Sequence, residues 1–205
     1  MGEASQLGDK FIIGLTGNIA CGKSTVLARL AALGAGVIDA DVVTRELQRR
    51  GAPAYGPMVA AFGPEIVQPD GEIDRRALGN RVFADPAALR RLEGLVRPLV
   101  RDEIVRRIAA LTQRVVVVDA IGLLDGPLVD YCRRVWVVTC LPDQQVARLV
   151  ATRGLTEDEA RLRVNAQAPQ AAKVARADLV FDNSGTREAL LAQVDAAWKD
   201  LQTAL

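Results

Sequence analysis

The sequence contains no histidine among its 205 residues, and this absence narrows the chemistry open to the protein. It excludes zinc sites with histidine ligands, Ser–His and Cys–His nucleophile pairs, and a histidine general base. Any acid–base step must therefore use Asp, Glu or Lys. Aromatic residues are also scarce, at 4%, so Val, Leu, Ile and Ala must fill most of the core.

An excess of one charge, paired cysteines and long apolar runs are missing too. The 26 basic and 25 acidic residues nearly cancel, which argues against a nucleic-acid partner. Cys21, Cys132 and Cys140 are odd in number and form no CxxC pair, which is typical of reduced thiols in the cytoplasm.

Residues 1–10 lack the apolar run of a secretion signal, and Gln6 replaces the Ser or Thr of a myristoylation signal. No run is long enough to span a membrane, so we predict a cytoplasmic protein without a membrane partner.

The most informative segment is residues 17–25, Gly-Asn-Ile-Ala-Cys-Gly-Lys-Ser-Thr, which matches the phosphate-binding loop pattern G-x-x-x-x-G-K-S. A strand-like apolar run precedes it at residues 11–16, and a helix-like run follows it at residues 25–33. Strand, loop and helix in this order form the context in which the pattern binds nucleotide phosphates. The alternative is a glycine-rich turn that matches by chance, and the neighbouring segments disfavour it.

The residue types in this loop indicate how it would bind a nucleotide. Gly17 and Gly22 allow backbone conformations that let amide N–H groups surround a phosphate at a helix N-terminus. Lys23 can reach the β- and γ-phosphates, and the Ser24 hydroxyl can ligate Mg²⁺. Cys21 is either a thiol with a lowered pKa or, more simply, a small residue tolerated in the loop. The predicted nucleotide-binding residues of the loop are Gly17, Asn18, Ile19, Ala20, Cys21, Gly22, Lys23, Ser24 and Thr25.

Short β-branched runs predict the fold. Runs typical of buried strands recur at residues 36–38, 115–118, 135–139 and 179–181. Helical patterns lie between them, and a βαβ series of this kind predicts an α/β fold with a parallel sheet flanked by helices. Ligands bind such sheets at the carboxyl ends of the strands.

Two helical segments interrupt this series. Residues 45–111 show no strand signal and are predicted to form a substrate-binding insertion that is rich in arginine. We expect its helices at residues 54–62, 74–83, 86–95 and 98–111, with Asp74 as an N-cap. Residues 144–175 contain the capping box Thr156–Glu159 and are predicted to form a lid that brings arginines to the transferring phosphoryl group. The chain is predicted to be a single domain, and its core is predicted to consist of residues 11–44, 112–143 and 176–205.

Carboxylates follow two of the predicted strands. Asp39 and Asp41 follow the second strand, where a carboxylate can accept the proton of an attacking hydroxyl or hold a Mg²⁺ water. Alternation along an extended chain would point both in roughly the same direction. We favour Asp41 as the base, and the alternative is that Asp41 only caps a helix expected at residues 42–50. Asp119, after four valines, resembles a Walker-B acid.

From about residue 12 to residue 185 the chain resembles dephospho-coenzyme A kinases. The loop itself is shared with many unrelated NTPases, whereas the Asp-Ala-Asp element and the insertion are much more specific. The segments that carry the resemblance are 14–25, 37–41, 62–63, 71–78, 82–86, 92–93, Gln167, Pro169, Lys173, 177–178 and 183–185.

The resemblance implies an activity and a set of site residues. It implies ATP- and Mg²⁺-dependent phosphorylation of the ribose 3′-hydroxyl of dephospho-coenzyme A, on a P-loop kinase core with a helical substrate-binding domain and a lid. We expect a monomer or a weak homo-oligomer. The catalytic residues are then Asp41, Lys23 and Arg148, with Asn183 near the nucleotide. The substrate residues are Asp39, Asp41, Arg75, Arg81, Arg97 and Asp119, and the metal residues are Ser24 and Asp39.

Three positions depart from the family pattern. Arg97 and Pro98 replace a His-Pro pair. Residues 119–125 lack the usual proline and close on Asp in place of Glu. Thr152 stands where the lid normally has a second arginine, and Arg153 lies one residue later, a rotation of about 100° on a helix.

Three other functions fit parts of the sequence. A kinase for another small hydroxylated metabolite or nucleotide is disfavoured by the Asp-Ala-Asp element. A regulatory GTPase is disfavoured because no Asn/Thr-Lys-x-Asp element follows a strand. A nucleotide-binding protein without catalysis is disfavoured by the intact Lys23, Ser24 and Asp41.

Overall fold

The computed structural model describes residues 7–205, apart from the side chain of Phe83. The predictions about a myristoylation signal, and most of those about a secretion signal, concern residues that lie outside this part. The chain divides into two compact units, Met1–Ile38 with Leu111–Leu205 and Asp39–Ala110. Among residues 7–205, none of the helices combines the length and the apolar composition that crossing a bilayer requires.

The described strands form one parallel five-stranded sheet in the order β2-β3-β1-β4-β5, which confirms the predicted fold class. The strands are β1 (Phe11–Gly17), β2 (Gly36–Asp39), β3 (Val115–Asp119), β4 (Arg134–Thr139) and β5 (Leu179–Asp182). In the register of the central strands, Leu15 of β1 lies between Asp119 of β3 and Trp136 of β4. Strands buried on both faces are rich in apolar residues, and β1 and β3 are such strands, with Thr16 and Asp119 as buried polar positions.

Helices cover this sheet and make up most of the second unit. Within residues 7–205 they are α1 (Lys23–Ala32), α2 (Ala40–Leu47), α3 (Tyr55–Phe62), α4 (Arg75–Ala84), α5 (Pro86–Ala110), α6 (Pro142–Arg153), α7 (Glu157–Asn165), α8 (Gln170–Val174) and α9 (Arg187–Ala204). Val26 and Leu30 of α1 are fully buried in the core that contains β1, β3 and β4. α6 packs on α7 through Leu149 and Ala160, and the predicted capping box of Thr156 and Glu159 begins α7.

The helix α5 is continuous, so the prediction of two helices separated near Pro98 is wrong. A proline inside a helix removes one hydrogen bond and costs about 3 kcal/mol or more. Burial of one apolar face offsets this cost, because each buried aliphatic side chain contributes roughly 1.5–3 kcal/mol. The buried residues are Val96, Val100, Ile104, Val105 and Ile108. Asp74 caps α4 as predicted, accepting hydrogen bonds from the backbone N–H groups of Arg76 and Ala77.

Candidate active site

The phosphate-binding loop connects β1 directly to α1, and its two glycines lie where a side chain would not fit. A Cβ on Gly17 would collide with the carbonyl oxygen of Val138, and one on Gly22 would collide with the side-chain amide of Asn183. Gly22 also has φ +97°, in the left-handed region. Ala20 lies in that region as well, with φ +58°, which costs about 1 kcal/mol or more for a residue with a side chain. The loop backbone is therefore held in shape by its surroundings.

Three successive carbonyl oxygens of the loop accept hydrogen bonds from side chains outside it. The pairs are Gln145 Nε2 to Ile19 at 2.6 Å, Arg148 Nη1 to Ala20 at 3.2 Å and Asn183 Nδ2 to Cys21 at 2.7 Å. In a trans peptide the C=O and the next N–H point in opposite directions. The N–H groups of residues 20–22 therefore point away from these three side chains, as phosphate binding requires, and that of Cys21 donates to the carbonyl of Asn18 at 3.3 Å.

The segment between α7 and α8 also contacts the loop. Gln167 Oε1 accepts a hydrogen bond from the N–H of Ile19 at 2.7 Å, and Asn18 Nδ2 donates to the carbonyl of Ala168 at 3.1 Å. From α8, Lys173 Nζ donates to Asn18 Oδ1 at 2.8 Å. Residues of the predicted lid region are thus in direct contact with the predicted nucleotide site.

Two lysines place positive charge at the loop. Lys23 Nζ approaches the carbonyl of Gly17 at 3.4 Å, a weak contact. The pKa of Lys173 is lowered, first by burial and then by the charge of Lys23, while the negative charge of Asp125 opposes this. Two ammonium groups that repel each other next to inward-facing N–H groups form a site suited to a polyphosphate.

Arg148 is predicted to act on the transferring phosphoryl group, and the structure places its guanidinium on two backbone carbonyls. Nη1 donates to Ala20 O at 3.2 Å and Nη2 donates to Asn183 O at 2.9 Å. Thr152, at the position of the family's second lid arginine, donates its hydroxyl to Arg148 O at 2.6 Å within α6. Thr152 therefore supplies no cation, and the catalytic role of Arg148 stays a prediction.

Asn183 and Asp119 lie at the carboxyl ends of β5 and β3. Asn183 is buried, and its side-chain amide is committed to the loop carbonyl of Cys21. Asp119 is buried opposite Leu15, two residues before Gly17. Both predicted site residues thus lie in the same unit as the loop. The roles assigned to them, near the nucleotide and near the substrate, remain predictions.

Asp39 and Asp41 belong to the second unit, and only Asp39 is a helix cap. Asp39 Oδ1 accepts hydrogen bonds from the N–H groups of Asp41 at 2.8 Å and Val42 at 3.0 Å, so α2 begins at Ala40. The alternative in which Asp41 caps the helix is wrong, and so is the extended alternation of the two carboxylates, because Asp41 is already helical. Asp41 is exposed, and its carboxylate accepts no hydrogen bond from the described residues. It is available as a proton acceptor.

The three predicted substrate arginines each have a partner within the second unit. Arg75 Nη1 donates to Gln48 Oε1 at 3.1 Å, Arg81 Nη1 donates to the carbonyl of Phe62 at 2.6 Å, and Arg97 pairs with Glu93 at 2.6 Å. Arg75 also lines a groove of about 340 Å³. The other residues that line it are Val42, Arg45, Glu46, Arg49 and Glu72.

Comparison with known proteins identifies the family. The family model described as "CoaE: Dephospho-CoA kinase" matches residues 11–188. The chain belongs to the dephospho-CoA kinase family. A dephospho-CoA kinase of Symbiobacterium thermophilum is 46% identical over 92% of this chain and 80% of its own length. A dephospho-CoA kinase of Thermobifida fusca is 43% identical over 94% of this chain and 97% of its own length.

Two solved structures share the fold of this chain. TT1252 from Thermus thermophilus superposes with a TM-score of 0.83 at 32% identity, covering 94% of this chain and 98% of TT1252. Shikimate kinase from Bacteroides thetaiotaomicron superposes with a TM-score of 0.54 at 18% identity, which shows a shared fold alone. A dephospho-CoA kinase family member with the P-loop kinase fold uses a nucleotide, ATP.

Sequence patterns do not predict several of the residues whose side chains contact the phosphate-binding loop. Sequence patterns indicate no role for Gln145 and Gln170, and only the resemblance to dephospho-CoA kinases points to Gln167 and Lys173. The spacing of Gln170 and Lys173, three residues apart, is a usable signal, because residues at this spacing lie on one side of a helix and both belong to α8. In the second unit, sequence patterns do not indicate the groove arginines Arg45, which belongs to α2, and Arg49, which follows that helix.

Proposed function

We propose that this protein transfers the γ-phosphoryl group of ATP to the ribose 3′-hydroxyl of dephospho-CoA, forming CoA and ADP in the last step of CoA biosynthesis. The observation that carries this proposal is the loop of residues 17–25 in a chain that matches the dephospho-CoA kinase family over residues 11–188. Three of its carbonyls accept hydrogen bonds from side chains outside the loop, so the N–H groups of residues 20–22 point away from those side chains.

The loop unit would bind the nucleotide. The inward N–H groups, the N-terminus of α1 and the charge of Lys23 act together on the β- and γ-phosphates. Lys173 would add a second positive charge when its ammonium group leaves Asn18 Oδ1 and donates to a phosphate oxygen instead. Arg148 and Asn183 hold the outer carbonyls, so that the inward groups need no rearrangement when charge develops on the phosphoryl oxygens.

The residues also fit a magnesium ion bound together with the nucleotide. Mg²⁺ prefers oxygen ligands, keeps several waters and takes further ligands from phosphates, so one or two protein oxygens are enough. Ser24 is exposed at the start of α1 and offers its hydroxyl, and Asp39 retains one carboxylate oxygen that does not cap α2. When bound, the ion would neutralise charge on the β- and γ-phosphates.

The second unit would supply the base and part of the acceptor site. The carboxylate of Asp41 accepts the proton of the 3′-hydroxyl as that oxygen attacks the γ-phosphorus, and ADP leaves from the opposite side. Arg75, Arg81 and Arg97 are proposed to contact the anionic groups of dephospho-CoA, and Asp119 is proposed to contact the substrate from the loop unit. Arg45 and Arg49 add positive charge beside Arg75 in the groove of the second unit.

The direct test is formation of ADP from ATP and Mg²⁺ with and without dephospho-CoA, followed by identification of the product. We expect ADP to form only with the acceptor, in equal amount to a product carrying one new phosphate on the 3′-oxygen, which phosphorus NMR can locate. ADP released equally without the acceptor would show hydrolysis and contradict the proposal. We further propose that the protein acts in the cytoplasm as a monomer or weak homo-oligomer, on a small molecule and without nucleic acid.

A further inference from the structure

Ala20 is the strained residue of the phosphate-binding loop. Among the residues that the structure describes, it is the only one other than glycine with a positive φ, at +58°. This left-handed conformation is unfavourable for a residue with a side chain, by an amount equivalent to about 5- to 30-fold in an equilibrium constant. Such a conformation persists only where the surroundings impose it. Neighbouring groups must therefore hold the peptide units on both sides of Ala20.

Two side chains of α6 hold these peptide units. The unit before the Cα of Ala20 contains the carbonyl of Ile19, which accepts a hydrogen bond from Gln145 Nε2 at 2.6 Å. The unit after it contains the carbonyl of Ala20, which accepts one from Arg148 Nη1 at 3.2 Å. Because each peptide unit is planar, fixing both carbonyls fixes φ and ψ of Ala20. Gln145 and Arg148 are three residues apart and therefore lie on one face of α6.

The amide of Gln145 is fixed in its orientation toward the loop. The residue is buried, with 1% of its surface exposed. Nε2 also donates to Cys21 Sγ at 3.4 Å, so both protons of the amide are used on the loop. Leu149 of the same helix belongs to an apolar cluster against which Ile19 and Ala20 pack. The hydrogen bond to Ile19 is therefore supported by apolar contacts between α6 and the loop.

The N–H of Ala20 is left for a ligand. It belongs to the same peptide unit as the carbonyl of Ile19 and points in the opposite direction, away from Gln145. It has no hydrogen-bond acceptor within residues 7–205, whereas the N–H of Ile19 donates to Gln167 and that of Cys21 donates to Asn18. A backbone donor without a partner in a phosphate-binding loop is suited to an anionic oxygen.

We propose that Gln145 is a positioning residue that aims the N–H of Ala20 at a phosphate of the bound nucleotide by holding the carbonyl of Ile19. Without this hydrogen bond, Ala20 relaxes toward negative φ, and its N–H turns with the peptide unit. Gln145 acts through the loop and does not touch the nucleotide. The inference deepens the proposed function and rests on it, because it assigns the loop to ATP.

The adjacent Gln144 provides a matched control. It also belongs to α6, and its Nε2 donates to the carbonyl of Ser184 at 2.8 Å, outside the loop. Gln144→Met therefore loses one bond from an amide to a carbonyl, as Gln145→Met does, but frees no carbonyl of the loop. Both variants should lose thermal stability, whereas only Gln145→Met should weaken the binding of ATP.

The test is a double-mutant cycle in the full-length protein, with the dissociation constant for ATP measured by titration calorimetry. In the native background, Gln145→Met should weaken ATP binding at least about 10-fold, because a hydrogen bond to a charged group is lost. In the Ala20→Gly background the same substitution should cost less than about threefold, because glycine adopts positive φ without a steric penalty. At saturating ATP, the KM for dephospho-CoA should stay within about twofold.

Three results would overturn the inference. They are ATP affinity of Gln145→Met within about twofold of the native value, an equal loss in both backgrounds, and an equal loss in Gln144→Met. Gln145→Asn is one methylene group shorter and should not reach Ile19, so it takes the place of Gln145→Met if that variant does not fold. A native protein that binds ATP without phosphorylating dephospho-CoA would contradict the proposed function, and the cycle would still decide the role of Gln145.

Discussion

Lys173 Nζ lies 2.8 Å from Asn18 Oδ1 and joins α8 to the second residue of the phosphate-binding loop. Asn18 is buried, and its amide nitrogen donates to the carbonyl of Ala168. The ammonium group of Lys173 therefore contacts a neutral acceptor, while burial and the charge of Lys23 lower its pKa. A phosphate oxygen would be a stronger acceptor than this amide, because hydrogen bonds between charged groups are roughly twice as strong as neutral ones.

We expect Lys173→Met to weaken ATP binding about 10-fold, in line with the loss of one hydrogen bond to a charged group. The effect on adenosine binding should be small, because adenosine has no phosphate. Lys173→Arg should retain part of the affinity for ATP. Titration calorimetry with ATP and with adenosine measures both, and Lys199→Met, which removes an exposed lysine of α9, is the matched control. ATP affinity of Lys173→Met equal to that of the native protein would remove Lys173 from the site.

Asp41, the proposed base, should affect turnover and leave ATP binding nearly unchanged. Asp41→Asn should lower kcat by at least about 10²-fold, because a general base typically contributes 10²- to 10⁴-fold. The dissociation constant for ATP should stay within about twofold, since Asp41 would act on the acceptor hydroxyl. Asp200→Asn on α9 is the control, because Asp200 is also an exposed helical aspartate. Turnover of Asp41→Asn at the native rate would exclude Asp41 as the base.

Lys23 should affect binding, turnover and stability differently. Its ammonium group makes only a 3.4 Å contact with the carbonyl of Gly17, so Lys23→Ala should leave the thermal stability of the free protein nearly unchanged. ATP affinity and kcat should both fall, because the charge that acts on the β- and γ-phosphates is gone. Thermal unfolding with and without ATP measures both effects. Stabilisation of Lys23→Ala by ATP to the native extent would contradict the phosphate-binding role of the loop.

Arg148 distinguishes loop positioning from direct action on the phosphoryl group. Its two Nη atoms bridge the carbonyls of Ala20 and Asn183, and a lysine has no planar fork to make both bonds. If positioning of the loop dominates, Arg148→Lys should raise the dissociation constant for ATP and lower kcat together. A fall in kcat with unchanged ATP affinity would contradict this and favour the predicted role at the phosphoryl group. Steady-state kinetics and ATP titration on one preparation give both numbers.

Glu103 predicts a pH dependence of stability. Hydrogen bonds from Arg106, and then from Arg107, outweigh burial and lower its pKa from 4.5 to about 2. A lowered carboxyl pKa means that the folded state favours the ionised form, so the contribution is complete above about pH 4.5 and is lost as the pH falls toward 2. Allowing for solvent screening, we expect Glu103→Gln to destabilise by roughly 1 kcal/mol at pH 7.

Urea unfolding between pH 3 and pH 7 measures this effect. The difference between Glu103→Gln and the native protein should shrink as the pH falls below about 4.5. Glu157→Gln is the control, because Glu157 forms one exposed ion pair with Arg161 and should change stability by less than about 0.5 kcal/mol. A Glu103→Gln difference that is the same at both ends of the pH range would contradict the assigned cause.

The features predicted correctly from the sequence are local ones. The loop pattern, the apolar strands and the caps at Asp74 and Thr156 depend on residues a few positions apart. The prediction at Pro98 failed because burial of the face of α5 outweighed a local helix-breaking signal. The alternative in which Asp41 caps the helix is wrong because both aspartates suit a cap and only the backbone decides between them.

Local sequence patterns could not predict which side chains contact the outside of the phosphate-binding loop. The side chains of Gln145, Arg148, Lys173 and Asn183 reach loop residues more than 120 positions away in the chain. Nothing in their immediate sequence shows that they meet the loop, because strand order and register bring them together. Family resemblance identified some of these positions without their partners.

The central claim is the identity of the acceptor, and a competition assay tests it most directly. ATP and Mg²⁺ are supplied with dephospho-CoA, adenosine, AMP and shikimate in one mixture, and products are resolved by mass. We predict a single phosphoryl gain on dephospho-CoA, ADP in equal amount, and no gain on the other three. Phosphorylation of another acceptor while dephospho-CoA stays unchanged would contradict the account.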